Sequence, residues 1–141
     1  MAVVDGNGTP IGLLVESANP AEIKLAQPTL ATIHVSRSCH KPKCRPKELV
    51  ADKGYDSKAF RQSLRKRGIK PCIPYRNFGH PKRGPKPDLS GYLERWHVER
   101  TFGWLGSFRK ILTRFERRVS VYLGLVYLAA ALICMRRLVS G

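Results

Sequence analysis

The chain is short of acid. Ten Asp and Glu stand against 26 Lys and Arg in 141 residues, leaving a formal charge of +16. A field of that sign gathers polyanions, nucleic acid or anionic membrane, before any close contact forms. Its plainer reading is a basic surface that only confers solubility. Long apolar runs are also lacking. The longest, Tyr122 to Met135, is closed by Arg136 and Arg137 and falls short of the ~18–20 residues that span a bilayer. It predicts a C-terminal core helix over about 121–138. No basic leader opens the chain: Asp5, Gly6, Asn7 and Gly8 interrupt residues 1–17, which argues against a signal peptide and for a cytoplasmic protein. Cysteine is sparse, with Cys39, Cys44, Cys72 and Cys134, and without a secretion signal these read as reduced thiols. Cys39, His40 and Cys44 have half the spacing of a zinc site, but no second ligand pair follows. Cys72 and Cys134 lie in apolar runs and read as core.

What is present suffices for one domain. The apolar fraction is 43%, slightly under the usual ~45–50%. Ala2 to Val4 and Pro10 to Val15 flank a strong turn signal at Asp5-Gly6-Asn7-Gly8 and predict a hairpin. Asn19 and Pro20 predict a helix start, and Ile23, Ala26, Leu30 and Ile33 continue it at helical spacing, with a split or kink at Pro28. Residues 36–47 are basic and carry Pro42 and Pro46, which predicts a loop. Glu48 to Ala51 predicts a strand ending at Asp52. Asp56 or Ser57 then caps a helix that stops at Gly68, and Ile69 to Pro74 predicts another strand. Residues 76–91 form a basic Pro- and Gly-rich loop, either a solvated linker or an arm that contacts phosphate. From Leu89 the chain reads as helix, with Trp96, Phe102 and Leu105 as its buried stripe and a break near Gly103 or Gly106. Strands and helices alternate in an α/β order with both hairpin and crossover connections.

Two of the few acids stand out. Asp52 follows a short apolar run and precedes Lys53 and Gly54, so a sharp turn leaves its carboxylate at the end of a strand, where open α/β sheets bind ligands. An aspartate capping its own turn has the same signature. Glu99 lies four residues after Arg95 and seven after Tyr92, one face of a helix. An ordinary Arg–Glu pair has that spacing too.

These segments, with Val4 to Pro10, Ser17 to Asn19, Arg65 to Ile69, Arg95 to Leu105 and Tyr122 to Ala130, carry a resemblance. The chain resembles the C-terminal part of a bacterial insertion-sequence transposase of the DDE class, in the group called insertion sequence five. The resemblance spans nearly the whole chain, 1–141, as a partial catalytic domain. It implies an RNase H-like mixed sheet flanked by helices, lacking its first strand, and DNA strand cleavage and transfer assisted by Mg²⁺ or Mn²⁺. Asp52 and Glu99 match the second and third acids of the catalytic triad, which are the metal ligands. Tyr92 and Arg95 match the residues that precede the glutamate. Where the family pattern has a lysine, this chain has Gly106, so Arg109 or Lys110 substitutes or the role is absent. Lys82, Arg83, Lys86, Arg100 and Arg114 are the expected DNA contacts.

The resemblance implies that the first aspartate belongs to a strand before the opening hairpin. Asp5 is not that residue, because its Gly and Asn neighbours are turn chemistry. The resemblance therefore implies a truncated copy, or one product of a frameshifted pair, inactive alone until an upstream segment supplies the first acid. The expected partners are element ends and target DNA, that segment, and further copies of the chain, with a location at the bacterial nucleoid. The competing readings are a non-catalytic basic DNA-binding module, including one that inhibits an intact transposase, and a membrane-surface protein.

Overall fold

The structure is a computed structural model, and it describes residues 1–17, 19–76 and 86–139. β1 (Ala2–Val4) and β2 (Pro10–Leu13) form the expected antiparallel hairpin, with a register shift between Val3 and Val4. Asp5 builds its turn: Oδ1 accepts the N–H groups of Asn7 at 2.9 Å and Thr9 at 2.8 Å. Gly8 completes it at φ +82°, a conformation that costs glycine little.

α1 (Glu22–Ala31) starts later than Asn19 and Pro20 suggest. Its N-cap is Ala21, which offers no side-chain bond. Pro28 lies inside the helix without ending it. The Thr29 hydroxyl donates to the Leu25 carbonyl at 2.7 Å, and Thr29 and Leu30 are fully buried, so packing outweighs the backbone bond that proline removes.

Residues 36–47 are not wholly a loop. β3 (Val35–Arg37) and β4 (His40–Lys43) pair antiparallel as a separate ribbon. Both strands are edges, so Pro42 breaks no interior ladder. β5 (Glu48–Val50) then pairs in parallel with β6 (Lys70–Cys72), Glu48 opposite Lys70 and Val50 opposite Cys72. α2 (Lys58–Lys66) makes the crossover. It ends as Gly68 predicts: the N–H of Gly68 bonds Arg65 O, that of Ile69 bonds Leu64 O, and Gly68 takes φ +71°. Its N-cap is Ser57, without a side-chain bond. Asp56 instead turns inward to Arg61 Nε at 2.9 Å, with both side chains almost fully buried. Arg61 also donates to Ile73 O at 2.7 Å.

The class is mixed α/β. Among the described residues, however, the strands form three two-stranded sheets and not one mixed sheet. One core serves two of them: Leu30, Ile33, Phe60, Leu64, Ile69 and Ile73, with Val3, Ile11 and Leu49 against it. α3 (Trp96–Gly106), α4 (Arg109–Leu112) and α5 (Val119–Val139) close the chain. The buried stripe of α3 is His97, Thr101 and Leu105. Trp96 and Phe102 are about half exposed, which corrects the expected stripe. α5 is also not central to the core. Only Val126, Ala129, Ala130 and Ile133 are buried, because the helix packs on one side, against β2, α3 and α4. At 21 residues it is long and apolar enough to cross a membrane by length and composition. Cys72 is buried as expected, and Cys134 is half-buried with Sγ facing Pro10 O at 3.9 Å.

Removing one member of a buried ion pair leaves the other under-compensated, even though Asp56 keeps the Arg76 N–H at 2.7 Å. Arg61→Ala is expected to lower unfolding free energy by about 3–5 kcal/mol, measured by urea denaturation. A change below about 1 kcal/mol would show that Asp56 finds full compensation elsewhere.

Candidate active site

Asp52 lies two residues beyond β5 and caps a single 3₁₀ turn, Lys53–Tyr55. Its Oδ1 accepts the Gly54 N–H at 2.7 Å, so Asp52, not Asp56, is the acid that caps its own turn. Beside it, the Tyr55 hydroxyl donates to Glu22 Oε2 at 3.3 Å. Burial first, then Glu22, then the Asp52 charge raise the phenol above its usual range, so Tyr55 remains a donor at neutral pH.

Glu99 sits in the first turn of α3, facing solvent. Its Oε1 meets Arg95 Nη2 at 3.1 Å, and its side chain is 62% exposed. The Arg95 guanidinium lies 5.7 Å from the Tyr92 ring centre. Tyr92, Arg95 and Glu99 therefore form one continuous face, as their spacing predicts. The segment that carries them starts against β5: a Cβ at Gly91 would meet Val50 Cγ2 and Glu48 Oε2 at 3.6 Å. Asp52 leaves the same strand. Among the described residues no group of three or more His, Cys, Asp or Glu side chains could hold a metal ion.

The far side of α3 is clamped to the β1–β2 turn. Thr101 Oγ1 donates to Gly8 O at 2.6 Å. Arg100 Nη2 donates to Asn7 O at 2.7 Å and meets His97 Nδ1 at 3.0 Å. The guanidinium also lies over the Trp96 and Trp104 rings, 4.4 and 4.8 Å from their centres. Arg137 of α5 reaches the same Asn7 carbonyl at 2.9 Å. Arg100 is thus engaged within the protein, although its sequence context reads as a DNA contact. The signal was the Trp96, Arg100, Trp104 spacing, four residues each way, which puts the cation between two rings.

The other sequence-derived cations are scattered. Arg109 and Lys110 are exposed on α4. Arg114 is exposed, bonded to Glu116 O at 3.2 Å and over the Tyr122 ring. Lys86 is exposed. Lys82 and Arg83 lie outside the described residues. Sequence reasoning missed a strap: Lys70 Nζ meets Asp88 Oδ2 at 2.7 Å and Glu48 Oε1 at 3.3 Å. It ties the chain entering the Tyr92 segment to β5 and β6.

With this geometry in view, comparison with known proteins defines the class. Residues 1–134 match the family described as transposase DDE domain, and the chain belongs to that family. It is 38% identical over 137 residues to a protein of Burkholderia cepacia named as a candidate transposase for insertion sequence element IS402. That match covers 96% of this chain and 62% of the relative, so the chain spans under two thirds of the relative's length. No solved structure gives a significant match.

The clamp and the strap each give a test. Arg100→Ala is expected to cost about 2–3 kcal/mol, from a charged hydrogen bond and two ring contacts, in urea denaturation; Arg100→Lys should not restore it, since an ammonium lacks the planar fork. Hydrogen bonds from Lys70, then Ser90, lower the Asp88 carboxyl to about 2 from its ordinary 3.8. A depressed carboxyl stabilises the fold above its unfolded value and loses that contribution as pH falls. NMR titration of Asp88 should therefore give a midpoint near 2, moving upward in Lys70→Met; a midpoint unchanged by that substitution would refute the strap.

Proposed function

We propose that the chain is the C-terminal part of a DDE-class catalytic domain from an insertion-sequence transposase, acting in DNA strand cleavage and transfer. The observation that carries this is the family match over residues 1–134, which contains Asp52 just past β5 and Glu99 on α3. The motif around Glu99 supports placement in the insertion-sequence-five group. Asp52 and Glu99 are hard oxygen donors of the kind Mg²⁺ or Mn²⁺ takes. They suit such an ion in type, but two carboxylates fall short of a triad. A bound divalent cation supplies activation of an oxygen nucleophile and stabilisation of the leaving oxygen. Arg95 orients Glu99 from the face shared with Tyr92. Arg109 and Lys110 offer exposed charge to phosphate in the place of the lysine that Gly106 replaces.

The first acid of the triad comes, in this reading, from a segment outside this sequence. Among the described residues β1 pairs only with β2, and β5 only with β6, yet Val3 of β1 and Leu49 of β5 lie on one core. Each strand keeps an edge without a strand partner among the described residues. A strand added between them would join the pairs into an RNase H-like mixed sheet and bring its own acid beside Asp52.

A second reading, a basic module that binds DNA without catalysis, draws on the local partners that Asp52 and Glu99 already hold. Incubation of the purified chain with duplex DNA and Mg²⁺ or Mn²⁺ separates the two. The expected outcome is binding without cleavage by the chain alone. Cleavage should appear once the upstream segment is restored, and should fall to background in Asp52→Asn and Glu99→Gln. Cleavage by the chain alone, abolished in Asp52→Ala, would contradict the missing acid. Restored cleavage indifferent to both substitutions would contradict the assigned carboxylates, and no cleavage with the segment restored would favour the module.

A further inference from the structure

Among the described residues, the β3–β4 ribbon packs on no core. All seven of its strand residues are exposed, and among the described residues it pairs with no other strand. An isolated two-stranded ribbon is marginal in water, and this one brings almost no apolar surface to a core. What it brings is charge. Arg37, Lys41 and Lys43 of the ribbon line a concavity of about 630 Å³ together with Arg45, Lys47 and Arg67, and no acid lines it.

The root of this concavity is held firmly. Arg45 Nη1 donates to Arg67 O at 3.0 Å, across the turn that ends α2. Arg67 Nη1 donates to Gln27 Oε1 at 3.2 Å. The Lys47 carbonyl accepts from the Lys70 N–H at 2.9 Å, which fixes the ribbon's base to the β5–β6 pair. Six cations around one hollow repel one another, and a polyanion relieves that repulsion while releasing its own counterions.

We propose that the β3–β4 ribbon and the hollow beneath it form a docking surface for the phosphate backbone of duplex DNA. The choice of DNA over other polyanions rests on the transposase reading above; the surface itself rests on the charge and geometry. β5 places the surface relative to the candidate active site. Lys47 precedes β5 and Asp52 follows it, and five residues at ~3.3 Å each set them about 16 Å apart. That is roughly half a turn of B-form DNA, whose repeat is about 34 Å. A duplex seated on the ribbon would reach Asp52 within one turn.

Fluorescence anisotropy with a labelled duplex of arbitrary sequence tests this, using the full chain over a series of salt concentrations. The ribbon variant Arg37→Ala/Lys41→Ala/Lys43→Ala removes three cations; Arg117→Ala/Arg118→Ala/Arg136→Ala removes the same charge from exposed positions elsewhere. The ribbon variant should weaken binding at least 10-fold and flatten the log K against log salt slope by about 2–3, near 0.9 per lost phosphate contact. The control variant should change both much less. Lys41→Gln alone, which leaves the ribbon's other residues intact, should flatten the slope by about 1. Equal losses in both triple variants, or unchanged binding in the ribbon variant, would overturn the docking surface while leaving the transposase reading intact. Failure of the unmodified chain to bind duplex DNA, or binding through these residues to anionic phosphatidylserine vesicles only, would overturn the DNA reading and this surface together.

Discussion

The Arg100 guanidinium, between the rings of Trp96 and Trp104 and bonded to the Asn7 carbonyl, joins the two ends of the chain. With Thr101 on Gly8 and Arg137 again on Asn7, it fastens α3 and α5 to a turn roughly a hundred residues earlier in the chain. The first hairpin in turn rests on the core shared with α1, α2 and β5. The position of Glu99, one residue before Arg100, follows from that clamp. The form of the clamp follows from composition. A chain with so few acids cannot neutralise its cations with carboxylates, so it uses carbonyl oxygens and aromatic faces. Arg45 on Arg67 O, Arg61 on Ile73 O and Arg114 on Glu116 O repeat the solution.

The acids are correspondingly committed. Asp5 builds a turn, Asp56 holds Arg61, Glu48 and Asp88 share Lys70, Glu94 meets His97, and Glu22 takes the Tyr55 hydroxyl. Asp52 and Glu99 also have local partners. Geometry alone does not separate them from the others. In the proposed reading they are set apart by the motifs around them, Ala51 to Asp56 and Arg95 to Leu105. Many of the other cations lie at the surface, and the hollow under the β3–β4 ribbon is where six of them gather.

Much of this was legible in the sequence, for identifiable reasons. The first hairpin showed through its Asp-Gly and Asn-Gly pairs. The end of α2 showed at Gly68, and β5 and β6 showed as short apolar runs bounded by Gly and Pro. The β3–β4 ribbon was hidden because Lys, Pro and Cys carry no alternating apolar signal, and a strand that buries nothing needs none. The α3 stripe was misread because Trp96 spends its face on Arg100 in place of the core. α5 reads as central from its hydropathy, and tertiary packing on one side only could not be seen there. The face formed by Tyr92, Arg95 and Glu99 is readable from helical spacing; the bond from Arg100 to a carbonyl 93 residues away is not, because nothing local encodes it.

The central proposal is that Asp52 and Glu99 both serve a divalent-cation site. Paramagnetic broadening by Mn²⁺, read by NMR on the DNA-bound chain joined to its upstream segment, tests it most directly. The account predicts that the resonances of Asp52 and Glu99 broaden together at sub-stoichiometric Mn²⁺, while those of Asp5 and Asp88 stay sharp. Broadening of only one of the two, or of all exposed acids alike, would contradict it.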